Sequence, residues 1–133
     1  MMPFLDPEAG QIEAEIIRSI QHITANYDQP LTIDELARIG ARSRGAFSKA
    51  FRQYTGKSIK AYITELRIKE AMHMIDTSNI PIHSIAEKVG YKDFSTFYRN
   101  FVQIAGVSPA KYKESAGYAE QLPHLQVAKD DCL

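Results

Sequence analysis

The sequence predicts an all-helical fold made of two related halves. Apolar residues recur at intervals of three and four, as in Ile12, Ile16, Ile20 and Ile23, which is the spacing of one helix face. No segment alternates apolar and polar residues with the β-branched bias of strands. A spacing of two phenylalanines, a glycine, a serine and a tyrosine begins at Phe47 and is repeated fifty residues later. These observations favour helices alone, built twice on one plan.

The first two predicted helices have clear boundaries. The first covers residues 11–27 and ends ahead of Pro30, because proline disfavours helical geometry in the residue before it. Thr32 followed by Glu35 is a capping box, in which each side chain satisfies the free backbone N–H of the other residue. The second helix therefore begins there, and Gly40 ends it.

The third and fourth predicted helices follow directly. Ser43 is the expected N-cap of the third, and Gly56 supplies the left-handed residue that ends it. Ser58 caps the fourth, which covers residues 59–76 and is about 27 Å long at about 1.5 Å of rise per residue. The inward stripe of the third helix is predicted to be Phe47, Ala50, Phe51 and Tyr54.

Three shorter helices and a tail are predicted beyond this point. Pro81 takes the first position of the fifth helix, and Asp93 caps the sixth. Pro109 opens the last helix, and from Gly117 the tail has neither caps nor a period, so we expect it to be loose. The inward stripe of the sixth helix is predicted to be Phe97, Phe101 and Ile104, and Leu122 and Leu125 are the tail residues that could dock back.

The repeated spacing extends backwards into a shorter helix in each half. Leu36 and Ala37 precede the first copy, Ile85 and Ala86 precede the second, and the two turns differ by one residue. A short helix, a tight turn and a longer helix with an apolar stripe make a helix-turn-helix. The predicted segments are an N-terminal extension (1–10), a first helix-turn-helix subdomain (11–57), a linker helix (58–77), a second helix-turn-helix subdomain (78–116) and a C-terminal tail (117–133).

Composition excludes several classes of protein. A chain of 133 residues with 44% hydrophobic content can bury one core or two small ones. Its one cysteine, Cys132, excludes an internal disulfide, so we expect a reducing compartment, the cytoplasm by default. No run is apolar enough to span a membrane, and the start lacks the pattern of a signal peptide. The histidines lack ligand spacing and no catalytic constellation is present, so we expect no metal, no cofactor and no enzyme.

The charge is zero overall but unevenly distributed. Residues 1–30 sum to −4, residues 31–115 to +6 and residues 116–133 to −2. Between Glu35 and Glu65 there is no acid, whereas seven Lys and Arg residues fall there. Such polarised charge makes a local positive field that suits nucleic acid, although a merely solvated face stays open as the alternative.

The second half resembles a known family. The runs LRIKEAMHMID and IPIHSIAEKVGYKDFSTFYRNFVQIAGVSPAKYK are similar to the DNA-binding domain of the AraC/XylS transcription regulators, and the resemblance covers about residues 12–113. It implies seven helices in two subdomains, with the third and sixth helices entering successive major-groove segments of one DNA face. The length resembles that of the short stand-alone members. A linker of about 27 Å, with the width of the flanking subdomains, can hold two recognition helices about 34 Å apart, which is one DNA turn.

The resemblance also implies roles for individual residues. Lys49 and Arg99 occupy the same repeat position, and either can reach guanine O6 and N7, Arg with a fixed fork and Lys as a point donor. The base-reading residues are expected to be Gly45, Ser48 and Lys49 in the third helix and Phe94, Ser95 and Arg99 in the sixth. The candidates for phosphate contacts are Arg42, Arg44, Arg52, Lys57, Lys60, Lys92, Lys111 and Lys113.

Three departures from the family pattern affect these roles. Gly45 stands where a large side chain often makes a contact, so the third helix is expected to bind more through phosphates than through bases. Ile59 replaces the usual proline after Ser58, at little cost because proline there preorganises the first turn only. Phe94 is unusual on an outward face, and either packs on thymine methyl groups or folds back on Tyr98.

The resulting hypothesis is a transcription activator that binds promoter DNA as a monomer on an asymmetric site. Contact with RNA polymerase follows from the resemblance alone. The alternative is a helical protein-interaction module or antagonist with little DNA affinity, which Gly45, Phe94 and the near-neutral charge favour. DNA binding that is absent or insensitive to salt would support this alternative.

Overall fold

Seven α-helices and no β-strand make up the described part of the chain, as the sequence predicts. The computed structural model of the protein describes residues 7–121, with side chains described over residues 10–115. None of the described helices is long and apolar enough to cross a bilayer. The helices are α1 (Pro7–Asn26), α2 (Ile33–Ile39), α3 (Arg44–Thr55), α4 (Ile59–Thr77), α5 (Ile82–Lys88), α6 (Phe94–Ala105) and α7 (Pro109–Gln121).

The chain divides into two compact units between Leu66 and Arg67, inside α4. The first half of α4 therefore belongs to the first unit and the second half to the second unit. The segment expected to be a linker, residues 58–77, is shared between the units in this way.

The first unit is built around two phenylalanines of α3. Phe47 and Phe51 are fully buried, with ring centres 5.8 Å apart, and Ile16 and Ile23 of α1 pack into the same cluster. Tyr62 of α4 meets the ring of Phe51 edge-on at 5.3 Å. Burying each such side chain contributes about 1.5–3 kcal/mol, so this cluster fixes the orientation of α3.

The second unit repeats this arrangement with α4 in the place of α1. Ile68 and Ile75 of α4 are buried fifty-two positions after Ile16 and Ile23. Phe97 and Phe101 of α6 are fully buried, again with ring centres 5.7 Å apart, and Tyr112 of α7 meets Phe101 edge-on. Each unit is thus a four-helix plan, and α4 supplies the last helix of one and the first helix of the other.

The predicted N-cap hydrogen bonds are confirmed, although for the predicted capping box the described residues show only the bond to the Thr32 hydroxyl. The Thr32 hydroxyl accepts from the Glu35 N–H at 3.1 Å, Ser43 from Ala46 at 3.3 Å, and the Asp93 carboxylate from Ser95 at 3.2 Å. The residues that end the two longer helices, Gly56 and Gly106, have φ values of 79° and 83°, in the left-handed region that glycine tolerates best. Both helices of the repeated spacing therefore begin and end where the sequence places them.

Three helix boundaries differ from the prediction for a clear physical reason, and the ends of α1 and α4, at Asn26 and Thr77, differ by one residue from the predicted 27 and 76. α1 begins at Pro7 instead of residue 11, because proline suits the first position of a helix. Pro81 is the N-cap of α5 and not its first residue, since its ψ of 145° is extended. α7 continues to Gln121 although a loose tail was expected from Gly117, because Ala, Glu and Gln in that stretch are good helix formers.

Two residues predicted to point inward are exposed. Tyr54 is 46% exposed and Ile104 is 37% exposed. Both lie in the last turn of their helix, where the period gives the face but not whether a neighbouring helix reaches far enough to cover it. The Tyr54 hydroxyl instead donates to Glu13 of α1 at 3.2 Å. Predictions for Leu122, Leu125 and Cys132 fall outside the described residues.

Candidate nucleic-acid interface

The outward face of α3 carries small and cationic side chains. Gly45, Ser48, Lys49 and Arg52 are spaced by three and four residues, so they share the side of the helix opposite to the buried phenylalanines. Lys49 and Arg52 are exposed and Ser48 is half-buried. A Cβ atom at Gly45 would meet nothing within 4 Å, so the backbone in the first turn of α3 is exposed and uncovered by other side chains. This face suits close approach of the backbone and cations to a polyanion.

The outward face of α6 is different in chemistry although equivalent in position. Ser95, Tyr98, Arg99 and Val102 lie fifty residues after the four positions on α3. Tyr98 is 45% exposed and Val102 is 36% exposed. Sequence reasoning missed these two residues. The repeat could have indicated them, because they occupy the positions of Ser48 and Arg52, two residues of α3 that were predicted to contact DNA.

Phe94 makes ring contacts inside the second unit. Its ring stacks on His83 of α5, with centres 4.0 Å apart and an interplanar angle of 17°. It also meets Phe97 at 5.7 Å and Tyr98 at 6.4 Å. The contact with Tyr98 agrees with one of the two expected arrangements, and the closer contact with His83 was not foreseen. Base reading by Phe94 stays a prediction.

A short hydrogen-bond chain leads from the N-cap of α6 to Arg99. The Thr96 hydroxyl donates to the Asp93 carboxylate at 2.7 Å, and the Arg99 guanidinium lies 3.4 Å from the Thr96 hydroxyl oxygen. The hydrogen bond from Thr96, with a further one from the Ser95 N–H, holds the pKa of the Asp93 carboxyl below its ordinary value. The carboxylate is therefore ionised at neutral pH. Sequence reasoning selected Arg99 and missed Thr96.

Arg42, expected to contact phosphate, is engaged in an ion pair. Its Nε donates to Glu15 at 2.6 Å, and the Glu15 side chain is only 4% exposed. Gln11 also donates to the Glu15 carboxylate, at 3.3 Å. Breaking a buried pair leaves an uncompensated charge, which is costly. The geometry therefore supports a structural role for Arg42, and its phosphate contact stays a prediction.

The remaining candidates for phosphate contacts differ in whether their side chains form ion pairs. Lys57 is paired with Glu65. Arg44 lies 3.8 Å from Asp34, but both side chains are about two-thirds exposed, and such pairs contribute little. Among the described residues, five exposed candidates form no ion pair: Arg52, Lys60, Lys92, Lys111 and Lys113.

Each unit thus contains a helix-turn-helix whose second helix exposes a face with at least one cation, Lys49 on α3 and Arg99 on α6. A family profile described as a helix-turn-helix domain matches residues 36–115, which is more than half of the chain. The chain belongs to this family, the AraC-type helix-turn-helix domains, as the resemblance of its second half indicates.

Three known proteins illustrate the similarity. The chain is 37% identical over 83 residues to RclR of Escherichia coli K12, an HTH-type transcriptional activator specific for RCS, covering 62% of this chain and 29% of RclR. The C-terminal domain of the response regulator AraT from Geobacillus stearothermophilus is 30% identical, with a TM-score of 0.74 over 78% of this chain and 87% of that domain. The DNA-binding domain of AdpA, solved with a target DNA, has a TM-score of 0.74 over 82% of this chain and 96% of that domain.

The matched proteins differ from this chain in identity and in length. AdpA is 22% identical, so its likeness bears on the fold alone. The chain spans under a third of the length of RclR, and 36% and 44% of two other curated relatives. The similarity therefore concerns the helix-turn-helix part of those longer proteins.

Proposed function

We propose that this protein is a sequence-specific DNA-binding transcription activator of the cytoplasm. The observation that carries the proposal is that the outward faces of α3 and α6, here called the recognition faces, lie at equivalent positions in the two units. Lys49 and Arg99 project from equivalent positions on α3 and α6, each on the side opposite to two buried phenylalanines. A face of this kind, rigidly backed by a core, is what a helix needs to present side chains to the edges of bases in a major groove.

The second recognition helix has the richer chemistry for reading bases. Arg99 carries the planar fork that fits guanine O6 and N7. Tyr98 and Val102 beside it offer apolar surface of the kind that packs on the methyl group of thymine. We propose that α6 reads a short sequence containing guanine and thymine.

The first recognition helix is suited to binding the DNA backbone. Arg52 and Lys49 are exposed cations on α3, and Gly45 offers no side chain to a base. Phosphate contacts fix the register of a protein on the duplex without reading sequence. We propose that α3 contributes most of its affinity in this way, with a single base contact by Lys49.

The two units act together on one duplex in this proposal. Recognition helices in successive major grooves let a monomer occupy an asymmetric site of about two groove segments, where other helix-turn-helix proteins use a dimer. Activation then requires a contact with RNA polymerase. The name of RclR describes an activator, which supports the same assignment for this chain.

Selection of duplexes from a random DNA library, followed by gel-shift titration, tests the proposal. We expect an enriched motif without two-fold symmetry. Six cations, Arg44 and the five unpaired candidates, are available for phosphates, so log K should fall with log salt concentration with a slope of about −5. No enriched motif, or binding that salt leaves unchanged, would favour the protein-interaction module instead.

A further inference from the structure

We infer that Thr96 is a positioning residue that sets base preference by holding the Arg99 guanidinium in place. The inference rests on the proposed function, because it concerns how the second recognition helix reads DNA. It adds a residue that the sequence did not single out and that need not touch a base itself. The structural basis is the chain of contacts from Asp93 through Thr96 to Arg99.

The chemistry of the three groups fixes the direction of each hydrogen bond. The Asp93 carboxylate is ionised, so it can only accept, and the Thr96 hydroxyl must therefore donate to it. With its one proton used, the Thr96 oxygen has lone pairs left to accept. Arg99 has donors and no acceptor, so its Nη2 donates to Thr96. No other assignment satisfies all three groups.

These hydrogen bonds leave Arg99 with most of its N–H donors available. A guanidinium has five N–H donors, and the contact with Thr96 uses one of them. The remaining donors include those needed for a bidentate contact with guanine. An exposed arginine is otherwise free to sample many rotamers, and restricting them in advance reduces the entropy lost on binding. Holding the guanidinium at one edge therefore favours one base position over its neighbours.

The first recognition helix lacks this device. The equivalents of Asp93 and Thr96 are Ser43 and Ala46, and Ala46 has no side-chain group that could accept from Lys49. The Ser43 hydroxyl is engaged by the Ala46 N–H. This arrangement is therefore particular to α6, although both helices have two buried phenylalanines and a C-terminal glycine at equivalent positions.

Binding preferences of substituted proteins test the inference. Thr96→Val keeps the β-branched shape and removes the hydroxyl, and Thr96→Ser keeps the hydroxyl. The matched control is Thr24→Val, because Thr24 is an exposed helical threonine that donates to the Ile20 carbonyl, far from α6 in sequence. Arg99→Ala identifies the base pair that Arg99 reads, using the duplex selected by the wild-type protein and a panel with each base pair changed in turn.

We expect Thr96→Val to lower discrimination about fivefold at the base pair that Arg99→Ala identifies, near the lower end of what one bidentate contact contributes. Discrimination at the other positions should hold, Thr96→Ser should restore the preference, and Thr24→Val should match the wild type. If Thr96→Val weakens all duplexes alike, or changes nothing, Thr96 has no positioning role. A wild-type protein that selects no motif would overturn the proposed function as well, which separates the two failures.

Discussion

The two units place different chemistry at one equivalent contact. In the first, Arg42 in the turn pairs with the buried Glu15 of α1 at 2.6 Å. In the second, Tyr91 takes the place of Arg42, and Arg67 of α4 takes the place of Glu15 and lies 5.7 Å from the centre of the Tyr91 ring. The Tyr91 hydroxyl also accepts from Asn100 at 2.9 Å. In both units the buried apolar residues bring the first helix against the turn. The polar contact made at that point differs, being an ion pair in the first unit and a cation–π contact in the second.

The turns of the two units also differ in how tightly they are packed. Gly40 of the first unit is followed by Ala41, with a φ of 55°, and its counterpart Val89 is followed by Gly90, with a φ of 105°. A Cβ atom on Gly40 would lie 2.9 Å from the ring of Phe47, whereas the second unit buries a whole valine there. Equivalent positions in a repeat therefore do not accept the same residues, since the first unit has no room for a Cβ atom where the second buries a valine.

The largest effect expected from this comparison concerns the ion pair. Arg42→Ala leaves the Glu15 carboxylate buried without its partner and should lower the free energy of unfolding by about 3 kcal/mol. Arg67→Ala removes the cation–π contact with Tyr91 from the second unit, and that contact contributes about 1 kcal/mol. Urea denaturation followed by circular dichroism measures both. Equal losses for the two variants would show that the contacts are energetically equivalent.

A smaller effect is expected at the packed turn. Gly40→Ala places a methyl group against the buried Phe47 ring and should destabilise the protein by about 2 kcal/mol, as overpacking does. The φ of Gly40 is −80°, so the backbone itself accepts alanine. Phe47→Leu in the same protein should relieve the clash, so that the double variant loses less than the sum of the single losses. Additive losses in thermal denaturation would contradict this account.

Local signals in the sequence predicted the fold well. Caps such as Ser43 and Asp93 depend on hydrogen bonds between residues two or three apart, and the sequence contains both partners. The apolar spacing of three and four residues also predicted the buried faces of the helices, because this signal too lies between residues close in sequence. The predictions that Tyr54 and Ile104 are buried were wrong, because their exposure depends on how far another helix extends. No local sequence pattern contains that information.

The candidate site was less predictable because it depends on contacts distant in sequence. The stretch without acids between Glu35 and Glu65 suggested seven free cations. Folding brings Glu15 against Arg42 across 27 positions, and Lys57 pairs with Glu65 at the edge of the stretch. A charge count along the chain therefore overstates the positive field of the first unit.

The two recognition faces should differ in what they lose on substitution. Arg99→Ala should cost about 1–3 kcal/mol of discrimination at one base pair, because Arg makes a bidentate contact with guanine. Lys49→Ala should cost less at any single base pair, since Lys is a point donor, and should weaken all duplexes more evenly. Lys111→Ala, at an exposed phosphate candidate, is the control for uniform weakening. Fluorescence anisotropy on the selected duplex and its single-base variants separates these outcomes, and equal profiles for Lys49 and Arg99 would remove the distinction.

The smallest expected effect is a pH dependence that the N-cap of α6 has and the N-cap of α3 lacks. The hydrogen bonds from Thr96 and Ser95 lower the pKa of the Asp93 carboxyl below its ordinary value of 3.8, whereas the equivalent cap on α3, Ser43, does not titrate. A group whose folded pKa is lowered stabilises the folded state above its unfolded pKa, and this contribution is lost as the pH falls through the folded value. Asp93→Ser gives α6 the cap of α3. Its Tm should therefore lie slightly below that of the wild type at neutral pH and converge with it as the pH falls below 3.8. A difference in Tm that persists unchanged at acidic pH would mean that the shape of the cap, and not its charge, distinguishes the two helices.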